Sequence, residues 1–180
     1  RGMVPRIMGR SYAIEAEVEI PEGGAEGVLV ANADFIGGWG LWIDGDGKLN
    51  HTYSWLGVET YKQVSDKPVP TGKHTLKMLF ESDQLTPGSG GKVTLWADDD
   101  QIGEGTLAHT IPIAATSYAG MDVGRDNGLV VDLAYEDKAP YAFTGTLHQV
   151  TCDLQPVTHE EAKALHEHEH HHSIGSGVAG

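Results

Sequence analysis

The densest run of metal-binding side chains is His166-Glu167-His168-Glu169-His170-His171-His172, near the C-terminus. It contains H-E-x-x-H twice, beginning at His166 and at His168. On a helix that spacing puts two imidazoles on one face, where they can share a Zn²⁺ while the glutamate serves as general base. A zinc protease also needs the helix buried in a cleft with a third ligand. This run is compositionally biased and has almost nothing apolar to bury. The simpler reading is an exposed tail with no metal, and the alternative is adventitious binding of Zn²⁺ or Ni²⁺ with His166, His168, His170 and His172 as candidate ligands.

Other constellations are weaker. Asp44-Gly45-Asp46-Gly47 opens like a calcium loop, but Lys48 stands where the next ligand belongs, so a hairpin turn is the better account. Asp98-Asp99-Asp100 reads as a second solvated turn. Glu15, Glu17 and Glu19 sit at alternate positions, as glucanase carboxylates do, yet any half-buried strand with a wet acidic face shows the same. Trp39, Trp42, Trp55 and Trp96, with Tyr53 and Tyr61, have the chemistry of a sugar-stacking platform. Trp39 and Trp42 have opposite strand parity, so at most one faces outward, and core packing is the favoured role. No G-x-S-x-G is present, and Cys152 lies at an apolar parity, as an inert buried thiol would. No catalytic residue is assigned, and no binding residue is fixed.

These side chains need strands to position them. Ser11–Ile20 alternates Tyr12, Ile14, Ala16, Val18 and Ile20 against the glutamates. Further runs are Gly27–Ala33, Trp39–Ile43, Lys48–Trp55, Glu59–Val64, Gly72–Ser82, Lys92–Ala97, Gln101–Leu107, Tyr118–Val123 and Phe143–Leu154, with Gly, Pro and Asp between them. The last run slips phase between Leu147 and Val150, which predicts a bulge. Arg125–Pro140 reads as an irregular acidic stretch. The expectation is an all-β antiparallel sandwich over residues 1–156, a His/Glu-rich helical tail over 157–172 opened by the capping box Thr158-His159-Glu160-Glu161, and a flexible end over 173–180.

Composition narrows the partners. The 180 residues favour one domain with an appendage. A net charge of −14 speaks against nucleic acid and against an anionic membrane surface. Removing the tail from His159 takes four Glu and one Lys, so most of that acidity belongs to the sandwich. A single cysteine excludes an internal disulfide and leaves the compartment open. No run approaches the ~18 apolar residues of a membrane helix. The chain begins at Arg1 rather than Met, which suggests a piece of something longer. Oligomeric state has no sequence signal.

Several segments resemble the C-terminal domain of large bacterial arylsulfatases. They are Arg10–Ala31, Phe35-Ile36-Gly37-Gly38-Trp39-Gly40-Leu41, Pro70-Thr71-Gly72-Lys73-His74-Thr75, Gly88–Leu95, Met121-Asp122-Val123-Gly124-Arg125-Asp126 and Tyr141-Ala142-Phe143-Thr144-Gly145-Thr146-Leu147. The match runs in order over Met3–Pro156. It implies a jelly roll of the concanavalin A/laminin-G kind that follows a separate catalytic domain carrying formylglycine and Ca²⁺. The C/S-x-P-x-R motif of that catalytic domain is missing, because Asp153, Leu154, Gln155 and Pro156 follow Cys152. The resemblance therefore implies a non-catalytic accessory domain packing against a sulfatase catalytic domain and shaping its entrance. The alternatives are a stand-alone lectin-like carbohydrate-binding module, a metal-binding protein acting through its histidine tail, and an intact enzyme of unknown chemistry.

Overall fold

The computed structural model describes residues 11–33, 37–56, 58–84, 88–110, 122–127 and 131–154, with the side chains of 33 and 152–154 left out. The strands are β1 (Tyr12–Ile20), β2 (Gly27–Ala33), β3 (Gly37–Ile43), β4 (Lys48–Trp55), β5 (Glu59–Pro68), β6 (Gly72–Ser82), β7 (Gly91–Ala97), β8 (Asp100–Leu107), β9 (Asp122–Val123) and β10 (Thr146–Leu154). They pair into two antiparallel five-stranded sheets, ordered β10-β1-β6-β7-β8 and β5-β4-β3-β2-β9. Each alternating run sends one parity inward. Ile14, Ala16, Val18, Leu76, Met78, Phe80, Val93 and Leu95 from the first sheet meet Leu29, Trp39, Leu41, Ile43, Leu49 and Tyr53 from the second. Burying each large side chain contributes about 1.5–3 kcal/mol, and this shared layer holds the sheets together.

The edges close unequally. β5 and β8, edge strands of opposite sheets, run side by side. Glycine permits that approach, because a β-carbon on Gly105 would lie 2.5 Å from Gln63 Cγ. The expected slip in β10 is present: Glu17 pairs with Gln149 and Val18 with Leu147, so His148 is the extra residue of a bulge.

Three expectations change. β5 runs on to Pro68, four residues past the expected end, because its pairing with β4 resumes beyond a register shift as far as Lys48↔Pro68. β10 begins at Thr146 rather than Phe143, because Phe143 and Thr144 bond instead to Gly124 and Glu26. The stretch read as irregular holds a short 3-10 helix, Leu133–Lys138, capped by Asp132 Oδ1 accepting from Ala134 N at 2.8 Å. Residues 118–121 of the expected ninth strand, and both tail segments 157–172 and 173–180, lie outside the described residues. Among the described residues no helix is long and apolar enough to cross a membrane.

Candidate functional site

The outward parity of β3, β4 and β5 places Trp42, Asn50, Thr52, Lys62 and Val64 on the outer face of the second sheet. Trp42 is nevertheless only 4% exposed, because residues 131–141 cross over it as a strap. Tyr135 meets the indole edge-on at 5.0 Å between ring centroids, Tyr141 at 6.2 Å, and the two tyrosines lie 5.4 Å apart. With Val28, Ala31 and Val131 they form a second apolar cluster, separate from the inter-sheet core. Val131 of the strap lies over Gly40, where a β-carbon would meet it at an ordinary contact distance of 3.5 Å.

Buried polar groups fasten the strap at both ends. Asp126 Oδ2 accepts from Val131 N at 3.0 Å and from the Tyr135 hydroxyl at 2.7 Å, while Asp126 N donates to Pro140 O at 2.7 Å. Burial and the adjacent Asp126 push the Tyr135 hydroxyl far above its usual range, so it stays a donor. In the middle, Trp42 Nε1 donates to Thr52 Oγ1 at 3.1 Å, and Thr52 donates to Asp132 Oδ2 at 2.8 Å. Lys62 Nζ reaches the same carboxylate at 3.1 Å and stands 4.7 Å above the Trp42 ring centroid.

Tyr141 is the most constrained residue of the strap. Its φ of 46° is left-handed, which costs a residue with a β-carbon of order 1–3 kcal/mol. Its surroundings hold it there: Tyr141 N donates to Lys138 O at 2.7 Å, and Tyr141 O accepts from Val28 N at 2.8 Å. Its hydroxyl donates to Glu26 Oε2 at 2.7 Å. That bond, with Lys138 Nζ at 3.3 Å, draws the Glu26 carboxyl below its usual range. The chain after Tyr141 packs against Gly27, whose φ is 120° and where a β-carbon would lie 2.5 Å from Ala142 O.

Between strap, sheet and the Asp44–Gly47 turn lies an open cleft of about 310 Å³, at the lower bound of ligand pockets. Trp42, Tyr135 and Tyr141 line it together with Asp44, Asp46, Asn50, Lys62 and Lys138. Asp44 is already engaged: Oδ1 accepts from Asp46 N and Lys48 N, and Oδ2 accepts from Asn50 Nδ2 at 2.9 Å. The rings form its floor beneath the strap, and the groups left at its open rim are the Asp46 carboxylate and the Lys62 and Lys138 ammonium groups, which suit a ligand with many hydroxyls.

The aromatic residues singled out from the sequence do not converge on one platform. Trp39 and Tyr53 are core, and Trp55 and Tyr61 pack against its margin. Trp96 lies on the outer face of the first sheet under Lys77 Nζ, 5.2 Å from its ring centroid. Glu15, Glu17 and Glu19 share that face, with Glu15 opposite Lys77 and Glu19 opposite Lys73. Asp44–Gly47 forms the expected hairpin, closed by Asp44 N donating to Lys48 O at 3.0 Å. His166, His168, His170 and His172 lie outside the described residues, as does the Cys152 side chain. Among the described residues no group of three or more His, Cys, Asp or Glu side chains is placed to hold a metal ion. Sequence reasoning missed Tyr135, Tyr141, Asp126 and Asp132. The available signal was Trp42 itself, since a tryptophan on the wet parity of a strand needs a cover.

No family model and no curated protein matches the chain. Among solved structures it is similar to the Ruminococcus gnavus IT-sialidase CBM40 bound to alpha2,3 sialyllactose, with TM-score 0.53 and 14% identity over 88% of this chain and 82% of that one. It is also similar to the same Ruminococcus gnavus CBM40 described without a sugar, with TM-score 0.50 and 14% identity over 87% and 81%. The native heptameric SAP-like pentraxin from Limulus polyphemus aligns at TM-score 0.46 and 10% identity over 79% and 63%. Identity this low speaks to architecture alone, and the chain is a jelly-roll-like antiparallel β-sandwich.

Proposed function

We propose that this chain is a non-catalytic carbohydrate-binding module whose site is the Trp42–Tyr141 cleft. The observation that carries the reading is the outer face of the second sheet, where a strap packed on three buried aromatic rings leaves Lys62 and Lys138 at the rim of one open cleft. The Asp46, Lys62 and Lys138 side chains at that rim bond a sugar's hydroxyls, while the buried rings hold the floor of the cleft in place. The fold likeness to a CBM40 described with alpha2,3 sialyllactose makes sialylated glycans the first to try, and the two lysines suit an anionic sugar. No bond-breaking step is assigned to any residue.

Titration with sialyllactose, read by tryptophan fluorescence, is expected to saturate at millimolar or tighter affinity. Lys138→Ala weakens that affinity about tenfold, through loss of one charge-assisted contact. A flat response to sialyllactose, and to every sugar on a glycan array, overturns the reading.

The arylsulfatase resemblance supports a second placement, with this module as accessory domain beside a sulfatase catalytic domain. Its motifs fall largely on positions the sandwich itself needs. A β-carbon on Gly37 would lie 2.2 Å from Ser54 O, one on Gly145 would lie 2.8 Å from Glu19 O, and Gly72 and Gly124 have φ of 108° and 76°. Such positions report a shared fold more directly than a shared partner. Stable co-elution with a formylglycine-sulfatase catalytic domain supports this placement, and failure to associate removes it.

A further inference from the structure

A second cleft, of about 360 Å³, opens on the other side of the Asp44–Gly47 turn, over the end of the sandwich. Gly45 and Asp46 line both clefts, so the turn is a shared wall. Glu26 belongs to the second cleft, while its hydrogen-bond partners Tyr141 and Lys138 belong to the first. A β-carbon on Gly45 would lie 3.3 Å from Glu26 Oε2, so this carboxylate faces the turn at the junction of the two spaces.

Their chemistry differs. The first cleft sets Lys62 and Lys138 beside Asp44 and Asp46 over a floor of three buried aromatic rings. The second has no cation and no aromatic among its lining residues. Its walls are Gly23, Gly24 and Gly47, apolar side chains such as Ile20, Pro68 and Val69, and the Glu26 and Asp46 carboxylates, while the Thr144 hydroxyl is already bonded to the Glu26 backbone. Among the described residues Glu26 Oε1 and the Asp46 carboxylate accept no hydrogen bond, which leaves acceptors for donor hydroxyls.

We infer that the two clefts are adjoining subsites of one track, with a neutral, hydroxyl-rich sugar in the glycine-walled cleft joined to the residue held in the aromatic cleft. This rests on the carbohydrate-binding reading and adds to it ligand length and direction. Either volume alone is at the lower bound of ligand pockets, whereas both together suit an oligosaccharide. A sugar tethered to one already bound loses little further translational freedom, so its contacts register as added affinity.

The test compares N-acetylneuraminic acid, lactose and sialyllactose by calorimetry, on the chain and on Pro68→Trp, which fills the second cleft from an exposed position on β5. Sialyllactose is expected to bind at least tenfold tighter than the monosaccharide. Pro68→Trp reduces it to the monosaccharide's level and leaves monosaccharide binding unchanged. Equal affinities for the acidic monosaccharide and the trisaccharide overturn the two-subsite inference and leave the single-cleft reading intact, a result available without the variant. Absence of binding by all three sugars overturns both.

Discussion

The two sheets present opposite kinds of outer face. On the first, β1 exposes Glu17 between half-buried Glu15 and Glu19, with Lys77 and Lys73 at the registers opposite the last two, while Ala13 and Thr94 at the other end of that face are buried. On the second, the equivalent layer buries Trp42 beneath Tyr135 and Tyr141, and a carboxylate, Asp132, pins the covering strap to Thr52 and Lys62 of the sheet. Apart from the two-residue β9, the strands of both sheets run seven to eleven residues and pair antiparallel. Among the described residues, the loop of residues 131–141 returns across the second face, and it creates the cleft. A sandwich acquires a candidate site here through a connection placed over a sheet, not through the sheet itself.

The largest test of that contrast is Trp42→Ala. It removes the ring both tyrosines rest on and is expected to cost about 3–5 kcal/mol in chemical denaturation, as buried aromatic truncations do. A loss no larger than that of a surface substitution would mean the strap does not pack as described.

Acid tests the other side of β4. His51 faces the core and is fully buried, with Nδ1 2.7 Å from Gln63 Oε1 and no partner for Nε2 among the described residues. Burial pulls its pKa from 6.5 down to about 4, against a smaller upward pull from Gln63. The unfolded chain therefore takes up a proton that the folded chain refuses. This contribution to stability is whole above about pH 6.5 and is lost as pH falls towards 4, approaching about 3 kcal/mol. His74 works in the opposite sense, because its bond to Asp98 raises its pKa. Denaturation midpoints of His51→Leu and the parent between pH 7 and 4 isolate the effect: the variant's slope is expected to be shallower, and parallel slopes contradict it.

Smaller effects sharpen the contrast. Lys62→Met keeps the stem over Trp42 but leaves Asp132 with only neutral donors, and is expected to cost about 1 kcal/mol. Glu17→Gln on the first sheet is expected to stay within about 0.5 kcal/mol. Equal costs at the two positions would erase the distinction between the faces.

Most strands were legible because alternation with turn residues between is a strong local signal, and even the β10 bulge showed as the slip between Leu147 and Val150. The site was not. Tyr135 and Tyr141 sit in or beside an acidic stretch with no period, and what orders them is contact with Trp42 and Asp126 across the fold. The parity of Trp42 marked the face, but nothing local marked what would cover it. The arylsulfatase resemblance pointed to a β-sandwich, and its segments include Glu26, Asp126 and Tyr141 without assigning them a role at the cleft.

The most direct test of the central claim is backbone and indole NMR shift mapping during titration with sialyllactose. The account predicts saturable shifts at the Trp42 indole N–H, Asn50, Lys62 and Tyr141, with the Glu17 and Trp96 face silent. Shifts confined to the first sheet's outer face, or none at saturating sugar, would contradict it.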